Sequence, residues 1–234
     1  MTNASGPLTG VQVVDLTTAV SGPVAAVILA DQGADVTKIE PPGGDFMRAA
    51  GPEAGMNPTF VACNHGKRSI VLDLKQQGAA EILWRLIESA DVLIQNFRPG
   101  AIERLGFGAS TVAARNPRLV YLSISGVGES GPYSGKRVYD PIIQALGGLA
   151  DIQADPQTGR PRMVRTLIAD KTTAVYAAQA VVAALFSRER TGVGQHIRLS
   201  MLDTLVCYLW PEGMASCALV DAEPETTAAS AHDM

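Results

Sequence analysis

Apolar and polar residues alternate along this chain with two different periods. The runs "VQVVDL" at 11–16, "DVTKIE" at 35–40, "SIVLDL" at 69–74, "DVLIQNF" at 91–97 and "RLVYLSIS" at 118–125 are short and rich in branched apolar residues, and they read as strands. Between the first two stands "GPVAAVILADQGA" at 22–34, a helix with Gly33 near its end. Between the third and fourth stands "QQGAAEILWRLIESA" at 76–90, with apolar residues at helical spacing. Strands separated by helices imply crossover connections, so the pattern predicts an α/β fold with a mainly parallel sheet and helices on both faces. Residues 41–66 are rich in Gly and Pro and read as one long loop. In such folds ligands bind in loops at the carboxyl ends of the strands.

The fifth strand runs into "GVGESGPYSG", where Gly126, Gly128 and Gly131 are spaced G-x-G-x-x-G. A dinucleotide site needs those glycines to open a helix whose N-terminus receives the pyrophosphate. Pro132 and Gly135 keep this segment from becoming helical before about Asp140, and no acidic residue closes a neighbouring strand at ribose-binding spacing. The glycines therefore read as a loop over another kind of ligand. Residues 140–151 then read as a helix.

Residues 171–187 form a run of Ala, Val, Leu and Phe, a pattern that predicts a buried helix. Asp170 stands at its start, in the N-cap position. Its carboxylate either caps the first turn or acts chemically. In the second case the helix dipole keeps it ionised, and an ionised, positioned carboxylate attacks a carbonyl to give a covalent acyl intermediate.

Composition narrows the function classes. The 234 residues, 47% hydrophobic, can bury a large core; the formal net charge of −4 argues against a general nucleic-acid binder. No apolar run reaches membrane-spanning length, and "MTNASGPLTG" lacks a signal-peptide pattern. Cys63, Cys207 and Cys217 are far apart, as expected in a reducing cytoplasm. Cys63 and His65 are too few for a zinc site, and His196 reads as a structural strand residue. There is no G-x-S-x-G and no P-loop. Basic residues Lys67, Arg68, Arg98, Arg104, Lys136 and Arg137 fall near strand ends, where together they can embrace a polyanion.

Five segments carry a family resemblance: 10–45, "NHGKRSIVLDLK", "ADVLIQNFRPGAIERLGFG", 116–149 and 169–204. In this order they resemble family III CoA-transferases, the group that includes formyl-CoA and carnitine CoA-transferases and the α-methylacyl-CoA racemases. The resemblance implies a Rossmann-like large domain, over 1–220 here, with 221–234 leading towards an absent small domain. It implies a full-length protein that is an interlocked homodimer, and acyl-CoA and carboxylic acid substrates with no permanently bound cofactor or metal. Asp170 becomes the nucleophile of a CoA transfer. CoA contacts fall on Thr18, Ala19, Leu72, Lys75, Asn96, Phe97, Arg98, Arg104 and Arg137, with Tyr139 beside the thioester. The chain departs from the family in three ways. It is shorter, so it is expected to be part of a longer protein. Val20 stands where the formyl-CoA enzymes carry a catalytic glutamine. Tyr139 stands where the racemases carry a histidine. The alternatives are a racemase of α-methylacyl-CoA and an inactive CoA-binding fragment.

Overall fold

The computed structural model describes residues 5–49 and 57–214. Six strands form one sheet: β1 (Gln12–Asp15), β2 (Asp35–Glu40), β3 (Arg68–Val71), β4 (Val92–Gln95), β5 (Val120–Ser125) and β6 (His196–Ser200). Every pairing is parallel, and the spatial order is β3-β2-β1-β4-β5-β6. The chain builds outwards from β1 to β3, crosses back to β4, and builds outwards again. The topological switch point therefore lies between β1 and β4, where the loops leave a crevice.

The crossovers are made by α1 (Ser21–Asp31), α2 (Pro58–Ala62), α3 (Gln77–Ser89), α4 (Ala101–Arg104), α5 (Ala109–Arg115), α6 (Asp140–Leu146), α7 (Leu149–Ile152) and α8 (Ile168–Thr191). Helices α9 (Met201–Tyr208) and α10 (Trp210–Met214) follow the last strand. One face of the sheet packs Val13, Val36, Val92, Ile94, Val120 and Leu122 against the buried sides of α1 and α8. The other face packs Val14, Ile39, Leu93 and Tyr121 against Leu83 and Ile87 of α3 and Val112 of α5. Strands apolar on both faces are what a covered parallel sheet requires. Burial at ~25 cal/mol per Å2 of apolar surface is the main force holding the three layers together.

The structure confirms the α/β reading and refines several boundaries. The first helix ends at Asp31, and Gly33 adopts φ +100 in the turn that follows. The third strand is shorter than 69–74 and lies at the sheet edge. The long loop holds a 3-10 turn at Phe46–Arg48 and the short helix α2; its residues 50–56 lie outside the described residues. The helix expected over 140–151 is two helices, because Gly148 adopts φ +84 between α6 and α7. The G-x-G-x-x-G glycines sit in turns, Gly128 at φ +90 and Gly131 at φ +87, and no helix begins before Asp140. The 221–234 segment lies outside the described residues. Among the described residues no helix is long and apolar enough to cross a membrane.

Candidate active site

The β1–α1 turn is held by buried charges. Asp15, fully buried at the end of β1, accepts hydrogen bonds from the Thr17 N–H and hydroxyl. Its other oxygen pairs with Lys67 Nζ at 2.8 Å, and Lys67 also donates to the Pro23 carbonyl and to Asn64 Oδ1, each at 2.9 Å. Burial pushes the Asp15 carboxyl up, but Lys67 and Lys38 together hold it below the ordinary value. Lys38, inside the sheet, donates to the Thr17 carbonyl at 2.7 Å and pairs with Asp45 at 3.0 Å. Asn96, just past β4, clamps Thr18 from both sides: it accepts the Thr18 N–H at 3.0 Å and donates to its carbonyl at 2.8 Å. An uncompensated charge would be very costly here, so each buried ion has a partner.

The same arrangement fixes the loop after β2. Arg48 donates two hydrogen bonds to Glu40, which also accepts from Ser69 and from the Asp45 N–H. The Arg48 bonds, opposed by burial, bring the Glu40 carboxyl down to about 2. Arg48 also stacks on Phe60, 3.9 Å from its ring centre.

These elements open onto a cavity of about 670 Å3 at the carboxyl ends of β1, β4 and β5. Of the residues expected from sequence, Thr18, Ala19, Asn96, Phe97, Arg98, Arg104, Arg137, Tyr139 and Asp170 line it together. Two are not among its lining residues. Leu72 follows β3 and is buried in the core beside Ile39 and Leu83, while Lys75 is exposed beyond it. Both lie past the short edge strand β3, whereas the cavity opens over β1, β4 and β5. Four cations, Arg98, Arg104, Lys136 and Arg137, line the cavity, and none of them pairs with a carboxylate among the described residues. Their charge is available to a polyanionic ligand.

Asp170 is not the N-cap of its helix. Helix α8 begins at Ile168, so Asp170 falls in the first turn and Leu167 occupies the cap position. The helix starts three residues earlier than expected, and the Ile168 N–H donates to the Thr166 carbonyl at 2.9 Å. The free N–H of Asp170 is instead satisfied from another helix, by Asp140 Oδ2 at 2.9 Å. Asp140, buried at the start of α6, also accepts from Gln144 Nε2 at 2.6 Å. Gln144 in turn binds the Val164 N–H and the Thr166 carbonyl, which fixes the approach to α8.

The Asp170 carboxyl is pushed up to about 6, first by burial and then by the Asp140 charge; the Ser21 hydroxyl and N–H pull it back by hydrogen bonding. Near pH 7 the group is ionised, but poorly solvated, which suits a nucleophile. Sequence reasoning missed Asp140, Gln144, Ser21 and Phe46. A signal existed for Asp140, because an Asp-Pro pair commonly opens a helix. Nothing in the local pattern pointed Ser21 at Asp170, since the two are far apart in sequence.

Other candidates are placed elsewhere. His65 pairs with Asp31 on the surface at 3.2 Å. His196 lies in β6, bonded to Ser123 Oγ at 2.9 Å, and burial lowers its basicity. His232 and Cys217 lie outside the described residues.

Comparison with known proteins agrees with this geometry. The family model described as CoA-transferase family III matches residues 8–232. The chain is 42% identical to an acetyl-CoA:oxalate CoA-transferase of Acetobacter aceti, a match covering 87% of this chain and 53% of that protein. It is 38% identical to a succinate–glutarate CoA-transferase of Agrobacterium fabrum, over 99% of this chain and 60% of that one. A crystal structure of a CAIB/BAIF family protein from Brucella suis superposes with a TM-score of 0.87 at 37% identity, covering 94% of this chain and 59% of that one. The chain thus spans about half the length of the curated relatives it matches. With the parallel sheet, the cavity at its switch point and a family match along nearly its whole length, this chain belongs to family III of the CoA-transferases.

Proposed function

We propose that the protein moves CoA from an acyl-CoA donor to a carboxylic acid acceptor, with Asp170 as the covalent nucleophile. One observation carries the reading. A carboxylate raised to about 6 by burial faces a cavity whose rim holds Arg98, Arg104, Lys136 and Arg137. Unpaired cations match the phosphates of CoA, and Thr18, Ala19, Asn96 and Phe97 form the walls against which its uncharged parts lie.

In this reading Asp170 attacks the thioester carbonyl. An O–C bond forms, the C–S bond breaks, and its electron pair leaves as CoA thiolate. The thiolate attacks the Asp170 carbonyl carbon of the mixed anhydride, releasing the donor acid and leaving an aspartyl thioester. The acceptor carboxylate then repeats the two steps in reverse order. Each step exchanges one activated acyl bond for another, so the sequence balances without an external energy source. Tyr139, exposed at the start of α6, is assigned a place beside the thioester. A phenol rather than an imidazole in the lining of the Asp170 cavity favours transfer over α-proton exchange, which needs two groups that titrate near neutrality. The site takes part in an interlocked homodimer with a second domain in the complete assembly.

The test is to incubate the purified protein with an acyl-CoA, quench with hydroxylamine, and map the modified residue by mass spectrometry. A hydroxamate at Asp170 is expected. An adduct elsewhere, or wild-type exchange rates in the Asp170→Asn variant, sinks the proposal.

A further inference from the structure

The end of β4 leads directly into the wall of the cavity. Gln95 is the last residue of the strand, Asn96 clamps Thr18, and Phe97 and Arg98 line the cavity. A second cavity of about 210 Å3 lies behind this wall, and Gln95, Phe97, Arg98, Pro99 and Ser123 are among its lining residues. The segment from Phe97 to Pro99 therefore has open space on either side of it. It is tied back to the sheet by its own N–H: Phe97 N donates to Gln95 Oε1 at 2.8 Å. Gln95 is in turn oriented across the neighbouring strands. Its Nε2 donates to Ser123 Oγ, directly opposite on β5, at 2.9 Å. Ser123 Oγ then meets Nε2 of His196, on β6, at 2.9 Å. The His196 ring stands edge-on to Tyr121, with ring centres 5.1 Å apart.

The protons along this chain have one consistent order. A hydroxyl carries a single proton. Ser123 Oγ accepts from Gln95, so its own proton is donated to His196 Nε2, the bare nitrogen of a neutral imidazole. We propose that His196 is a positioning residue for CoA: neutral, it holds Ser123 and Gln95 in the orientation that ties Phe97 and Arg98 to the sheet, and its protonation releases them. This rests on the CoA-transfer reading above. A protonated His196 donates from Nε2 instead. The Ser123 proton then turns towards Gln95, which must present Oε1 to accept it and so gives up its bond to Phe97. Burial, with Arg198 beside it, favours the neutral ring, and the charges of Glu129 and Glu103 oppose them. These groups face the ring from β6, from the β5–α6 loop and from α4, while Tyr121 faces it from β5. Arg198 itself pairs with Glu129 at 3.1 Å. The device acts on the wall that receives CoA and not on the reacting atoms.

The experiment measures CoA affinity by calorimetry, and acyl-CoA kinetics, from about pH 5 to 8 for the complete protein and three variants. Ser123→Ala and His196→Phe each break the chain. His196→Gln keeps an acceptor, its amide oxygen, but does not titrate. Loss of one hydrogen bond should raise the CoA Kd and the KM of Ser123→Ala and His196→Phe about 3- to 10-fold near pH 8, with kcat within about twofold. His196→Gln should match the wild type near pH 8 and lose less affinity than the wild type as the pH falls. Asp170 and the CoA phosphates titrate in both proteins, so the difference between their two profiles reports His196 alone. Wild-type CoA affinity in Ser123→Ala and His196→Phe overturns the proposal, as does equal loss in His196→Phe and His196→Gln. A lower Tm with CoA affinity and its pH profile unchanged shows a merely structural role and also overturns it. Failure of the wild type to bind CoA overturns the CoA reading beneath it; CoA binding with superimposable wild-type and His196→Gln profiles overturns the role of His196 alone.

Discussion

Replacing Asp170 by asparagine should make the folded protein more stable above pH 6 while abolishing transfer. The side chain is largely buried near Asp140, and its carboxyl is raised from 3.8 to about 6. The folded state therefore holds the Asp170 proton more tightly than the unfolded chain does. Wild-type stability from this group is fully present below about pH 4 and is lost as pH rises towards 6; above that both states are ionised and the loss is constant. A shift of about two units corresponds to roughly 3 kcal/mol at ~1.4 kcal/mol per unit. Asparagine is neutral at every pH, so it removes most of that penalty. Urea unfolding of both proteins from pH 4 to 8 measures it: the asparagine variant should gain about 1 to 3 kcal/mol over the wild type across that range, with a plateau above pH 6. A difference that stays flat between pH 4 and 6, or that narrows there, would refute the claim that burial and the Asp140 charge destabilise the ionised form. The gain would also be a stability–function trade-off, with strain kept at the nucleophile because the chemistry uses it.

Three further outcomes follow from the same geometry. The kcat/KM of wild-type transfer should fall tenfold per pH unit below about 6, as Asp170 takes up its proton; a profile still flat at pH 5 would remove Asp170 as the titrating nucleophile. Lys67→Met leaves Asp15 buried without its ion-pair partner and should cost about 3 to 5 kcal/mol in urea unfolding, so a variant as stable as the wild type would show that the pair contributes no net stability. Arg98→Ala and Arg137→Ala should each weaken CoA binding about tenfold, roughly 1.4 kcal/mol, and flatten its salt dependence; calorimetry at two ionic strengths checks both.

The sequence by itself determined the α/β class and the position of most strands, because the periods of apolar residues are set by the backbone geometry of strand and helix. Pro132 and Gly135 also settled that the G-x-G-x-x-G stretch does not open a helix, since that restriction is local. The family resemblance brought in nine residues that do line one cavity. What the chain could not show were relations across the sheet. The first turn of α8 is held by Asp140 and its approach by Gln144, which touch it from another helix a long loop away in sequence. The raised Asp170 carboxyl depends on how deeply the cavity excludes water and on which charge lies beside it. Leu72, just past the edge strand, is buried in the core and is not among the residues lining the cavity, a placement that the local pattern did not show. Burial, charge neighbours and hydrogen-bond reach are three-dimensional quantities, so only the folded chain decided them.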